Sequence, residues 1–189
     1  MKTIWALFGI MSLAGVAEAC TVQVRISDTA TAGPGVIFQA KSTAAAMFVR
    51  IGVKLEFTST PKPSTCGKPI EIRFEAGSPG AERPDSLAYA MPYLESGTSI
   101  HVFVERVADL TTSNRRGVVL GHVLVHEITH VLEGTVRHSD SGVMKAHWDL
   151  GDFRAMESRA LPFAPLDVLL LQGAGAGRQA SASALATAN

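Results

Sequence analysis

His126-Glu127-Ile128-Thr129-His130, with His138-Ser139 following and Gly142-Val143-Met144 just beyond, is the stretch on which the reading of this 189-residue chain turns. A helix rotates about 100° per residue, so residues four apart stand above one another on one face. His126 and His130 can therefore aim two imidazoles at one point. Zinc accepts neutral imidazole nitrogens at about 2.0–2.1 Å in a tetrahedron, and a catalytic zinc takes three protein ligands and leaves the fourth position to water. One helical turn supplies two of the three. Glu127 projects about 100° away from His126, outside the coordination sphere yet beside the open position, where a carboxylate can accept a proton from water.

The surrounding residues agree with a helix. Gly117 to His126 is apolar and carries no Asp, Glu, Lys or Arg, which predicts a buried helix with Asn114 as its N-cap. Gly134 falls where such a helix should stop, because glycine takes the left-handed C-cap conformation without steric cost. A chain reversed there brings His138 back as the third ligand. The competing third ligand is a downstream carboxylate, with Glu157 the best placed. Glu133 is nearer, but it follows His130 by one turn on the same helix and would crowd the metal. His122 lies four residues before His126 on the same face; a fourth imidazole would close the site to water, so His122 reads as a support behind the ligands or as buried structure. His101 and His147 carry no spacing argument. Asp140, Asp149 and Asp152 are candidates to orient the ligand imidazoles.

These residues resemble the metzincin clan of zinc peptidases, whose pattern is His-Glu-x-x-His-x-x-Gly-x-x-His followed by a methionine turn beneath the metal. Ser139 after the third histidine and Val143-Met144 beyond it are similar to the matrixin version of that pattern. The chain departs from it in one respect: Glu133 stands where the glycine is expected, Gly134 comes one residue later, and one more residue precedes His138. The longer string Leu132-Glu133-Gly134-Thr135, continuing through His138-Ser139 and Gly142 to Met144-Lys145-Ala146 and Trp148, resembles a family of small secreted bacterial proteins with a metzincin-like zinc site.

The resemblance implies an α+β fold, α/β-like in its element order. It would hold a mixed, twisted four- to five-stranded sheet, a backing helix, an active-site helix, a methionine turn at Met144 and a C-terminal helix. It also implies a zinc-dependent endopeptidase with zinc on His126, His130 and His138 and with Glu127 as general base. Two other readings stay open: an exported domain that keeps zinc structurally and binds a peptide without cutting it, and a gluzincin-type hydrolase with Glu157 as third ligand. No serine or cysteine nucleophile pattern competes in the sequence.

The N-terminus reads as a secretory signal peptide over residues 1–19. Met1-Lys2 is a short positive start, Ile4 to Val16 is apolar, and Ala17-Glu18-Ala19 offers small residues at a cleavage site before Cys20. This predicts a secreted or periplasmic protein. The apolar run is shorter than the roughly 20 residues that span a bilayer. Two cysteines, Cys20 and Cys66, remain after such a cut, and an even count in an exported chain favours a disulfide between them. Lipidation of Cys20 is the alternative, against which Glu18 argues. Thr65-Cys66-Gly67 is also similar to the thiol switch of matrixin propeptides, but it lies inside the domain. Lys plus Arg and Asp plus Glu each total 17, so no net charge draws the chain to nucleic acid. The expected partner is a peptide or protein substrate, met by a monomer.

Residues 20–172 suit one domain, and a 47% hydrophobic composition is enough for a real core. The alternating runs Thr21 to Ile26, Val53 to Phe57, Ile70 to Phe74 and Ile100 to Val104 read as strands, with a short one near Ser86 to Tyr89. Val36 to Ile51 reads as a helix, as does Pro165 to Gln172. Residues 173–189, rich in Ala, Gly and Ser, read as a disordered tail. Leu87 to Tyr93 is a candidate upper edge of the cleft, able to take an extended substrate as an added strand. Tyr89 and Tyr93 read as packing aromatics or as oxyanion donors, and Trp148 as packing beneath the site.

Overall fold

The computed structural model describes residues 21–27, 32–60, 69–77, 86–91 and 98–187. The expected signal segment, both cysteines and Tyr93 lie outside the described residues.

Five strands form one mixed sheet: β1 (Thr21–Ser27), β2 (Lys54–Phe57), β3 (Ile70–Glu75), β4 (Ala88–Met91) and β5 (Thr98–Phe103), in the order β2-β1-β3-β5-β4. The first four in that order run parallel, and β4 pairs antiparallel with β5 at the edge. Alternation decides which side of each strand is buried. Val22 and Val24, Ile70, Ile72 and Phe74, and Ile100 and Val102 all face the core, each at most 2% exposed. On the other side of β1, β3 and β5 stand Arg25, Glu71, Arg73, Ser99 and His101. Arg25 Nη2 donates to Glu71 Oε2 at 2.5 Å, and the Arg25 guanidinium holds the Glu71 carboxyl below its usual range.

Two long helices cover the apolar side. Helix α1 (Pro34–Val49) starts with proline in its first turn, where the missing N–H costs nothing. Helix α3 (Arg116–Glu133) buries most of its length, from Gly117 to Leu132. It is enclosed because it packs on α1 and also touches β4, β5, the 3₁₀ turn Gly142–Met144 and α5 (Pro165–Thr187). Gly121 permits the α1 approach: a β-carbon there would sit 2.6 Å from Thr43 Cβ and 3.0 Å from the Ala40 carbonyl oxygen. An alanine at this position would gain about 1 kcal/mol of helix propensity but overpack the contact.

Several elements depart from the expected pattern. The N-cap of α3 is Arg115, with no side-chain cap bond; Asn114 instead accepts a hydrogen bond from Thr112 Oγ1 at 2.6 Å. A short helix α2 (Val104–Asp109) follows β5 directly, and a further short helix, α4 (Leu150–Met156), follows the 3₁₀ turn. Asp149 caps α4 reciprocally with Asp152, a capping box with aspartate in the glutamate position. Helix α5 runs on to Thr187, past Gln172 and through the segment expected to be unstructured. Leu171, fully buried, docks its early turns. Once a helix is nucleated each added residue costs little, and alanine is the best helix former. Among the described residues no helix is long and apolar enough to cross a membrane.

Candidate metal centre

Three imidazoles meet beside α3. The coordinating atoms of His126, His130 and His138 lie within 4.8 Å of one another, a group that could hold a metal ion. Ring centroids are 4.7 Å apart for His126 and His130, 5.2 Å for His126 and His138, and 4.9 Å for His130 and His138. Helical spacing stacks the first two, and the chain reversal after α3 brings in the third. Gly134 makes that reversal at φ 64° and ψ 30°, its N–H directed to the His130 and Val131 carbonyls.

The hydrogen bonds on the far side of the helical pair set its chemistry. His126 Nδ1 donates to the Val143 carbonyl at 2.9 Å, and His130 Nδ1 donates to the Thr135 carbonyl at 3.0 Å. A carbonyl only accepts, so each ring carries its proton on Nδ1 and presents an Nε2 lone pair. Those two Nε2 atoms face each other at 3.0 Å. Two lone pairs that close repel unless a cation or a proton lies between them. The donor set therefore fits a metal ion.

Charge is disfavoured on all three rings. Burial brings His126 down to about 4, aided by the nearby His130 and His138 and opposed by the Val143 bond. Burial followed by the proximity of His138 brings His130 to about 4 as well. His138 is lowered by burial, then by His147 and Arg137. Neutral rings at pH 7 are the form a metal needs. For the metal-free chain the unfolded imidazoles, with pKa near 6.5, take up protons that the folded ones refuse. Stability is thus fully present above about pH 6.5 and is lost as pH falls toward 4. Urea unfolding of the chelator-treated protein should lose on the order of 3 kcal/mol between pH 7 and pH 4, discounted for solvent screening.

The 3₁₀ turn underlies this arrangement. Met144 is fully buried, its carbonyl accepts from the Ser139 N–H at 2.8 Å, and Val143 N–H donates to the Pro162 carbonyl at 2.8 Å. Gly142 adopts φ 77°, and a β-carbon there would lie 2.2 Å from the Pro162 oxygen, so only glycine fits. One turn thereby orients His126 through Val143 and ties His138-Ser139 through Met144. Trp148 stands edge-on to His126 at 5.8 Å and to His122 at 6.4 Å.

An open cleft of about 930 Å³ runs over the histidines, within the range of ligand sites. Glu127, 8% exposed, lines it next to His126 and His130. Strand β4 forms one wall through Ala88, Tyr89 and Ala90, while Lys145, His147, Trp148 and Phe153 line another part.

The other candidates fall elsewhere. Glu157 ends α4 and pairs with Arg115, so it does not join the cluster. Glu133 is engaged by Arg137. His122 donates from Nδ1 to the Val118 carbonyl at 2.8 Å and accepts at Nε2 from the Leu161 N–H at 3.1 Å; both nitrogens are used, as expected of buried structure. Asp149 and Asp152 bind Lys145 and cap α4. Backbone carbonyls, not these aspartates, orient the His126 and His130 rings. Tyr89 stacks on His101 at 4.8 Å with the planes 2° apart and also lines the cleft.

Sequence reasoning missed two features. Arg137 and the buried Asp167 form a network around Ser139; the signal was an acidic residue in the first turn after Pro165. On the polar side of the sheet, Ser99 Oγ lies 3.3 Å from His101 Nε2, and His101 Nδ1 meets Glu75. This has the connectivity of a catalytic triad, but none of the three lines the cleft and the Tyr89 ring covers the imidazole. It acts as a polar ladder between strands.

No protein-family model matches the sequence, and no curated protein does.

Proposed function

We propose that the chain is a secreted, zinc-dependent endopeptidase of metzincin type, with zinc on His126, His130 and His138. The observation that carries this reading is the pair of opposed Nε2 lone pairs at 3.0 Å, with His138 completing the group. Two nitrogens sharing a tetrahedral zinc at about 2.0–2.1 Å stand about 3.3 Å apart, close to that spacing. Held by three imidazoles, a zinc ion would keep one position for water, and a cleft of substrate size runs over these residues.

When bound, zinc supplies a Lewis acid that lowers the pKa of water toward about 7 and polarises a carbonyl. Glu127 takes the proton from the attacking water on a carboxylate oxygen. It then returns that proton to the leaving amide nitrogen as the C–N bond breaks. Its 8% exposure keeps bulk water from competing for that proton. Strand β4, at the sheet edge and on the cleft wall, holds an extended substrate by adding it as a further strand. The zinc-loaded protein should cut members of a diverse peptide library, read by mass spectrometry, and a chelator should abolish every cut. A folded, zinc-loaded sample that cleaves nothing would overturn the reading.

A further inference from the structure

His126 and His130 are each oriented by a bond from Nδ1 to a backbone carbonyl, but among the described residues His138 has no such bond. The residue as a whole is exposed and sits on a loop. What holds its position must act through the backbone, and the structure places one side chain there. The Arg137 guanidinium donates from Nη1 to Ser139 Oγ at 2.9 Å and to the carbonyl of His138 itself at 3.4 Å. From Nη2 it reaches Asp167 Oδ1 at 2.5 Å and both oxygens of Glu133 at 3.3 Å. Asp167 is fully buried and Glu133 has a side chain only 1% exposed. Asp167 also accepts from Ser139 Oγ at 2.6 Å and from the Ala164 N–H at 2.9 Å.

We propose that Arg137 is the positioning residue for the third ligand: its guanidinium clamps the end of α3, the first turn of α5 and the His138-Ser139 backbone into one unit, so that the His138 ring stays on the metal. This rests on the metal-centre reading above. The planar fork suits the task, since it donates in several fixed directions at once.

The test uses the full chain, with Zn²⁺ affinity measured by competition against a chromophoric chelator and with Co²⁺ as a spectroscopic substitute. Arg137→Met should bind Zn²⁺ about 10–100-fold more weakly, the range for loss of a group that orients a ligand. Its Co²⁺ visible band should weaken as the third imidazole leaves. In a His138→Ala background the same substitution should change Zn²⁺ affinity no further, because the residue it positions is gone. Asp167→Asn, which preserves the shape of the side chain, should act in the same direction if Arg137→Met does not fold. A folded Arg137→Met or Asp167→Asn protein with wild-type Zn²⁺ affinity and Co²⁺ band overturns the proposal and leaves the metal centre standing. Failure of the wild-type chain to bind Zn²⁺ overturns the metal centre, and this inference with it.

Discussion

Glu127→Gln is expected to lower kcat by about 10²–10⁴-fold, the usual contribution of a positioned general base, for any peptide that the zinc-loaded chain cleaves. Glutamine keeps the size of the side chain and its place in the cleft wall, but it cannot accept the proton. The three imidazoles that would hold zinc are untouched, so metal affinity should stay within about twofold. Steady-state kinetics on one cleaved peptide, with chelator competition for Zn²⁺, separates the two quantities. Parallel loss of affinity and rate would make Glu127 a structural support of the site. Unchanged rate would remove it from the reaction.

His138→Ala should weaken Zn²⁺ binding on the order of 100-fold or more. Structural zinc sites bind with about 10–16 kcal/mol in total, so one ligand of four accounts for about 3 kcal/mol. Glu157→Ala should leave affinity unchanged, because Glu157 is paired with Arg115 at the end of α4. Its loss should cost at most about 1 kcal/mol of stability, as for an exposed ion pair. Isothermal titration of both variants decides between a third imidazole and a carboxylate ligand. The reverse pattern, with affinity lost on removing Glu157, would assign the site to the other hydrolase type.

The parts of this site that sequence could show are those fixed by periodicity and local sterics. The four-residue spacing of His126 and His130 places them on one helical face, and Gly134 takes the left-handed C-cap that was expected of it. Alternation identified the strands of the sheet, because their two sides differ in burial. The rest depends on tertiary placement. Nothing local indicates that Val143 and Thr135 carbonyls, not aspartates, would orient the imidazoles. The clamp on Asp167 joins residues 30 apart in sequence, and no period connects them. Asn114 was a reasonable cap by residue type, yet the helix begins two residues later and its side chain stays with Thr112. Helix α4 was legible in principle: Asp149 and Asp152 form a capping box ahead of a run too short to show a helical period. The α5 extension shows the opposite limit, where composition alone reads as disorder but a docked helix continues through alanine.

X-ray absorption fine structure at the zinc edge of the loaded wild-type chain tests the central claim most directly. The account predicts three imidazole nitrogens and one further light atom from solvent, all at about 2.0–2.1 Å, from one zinc per chain. A fourth protein ligand would contradict it, as would a sulfur shell at about 2.3 Å, because either would close the position at which the reaction has to occur.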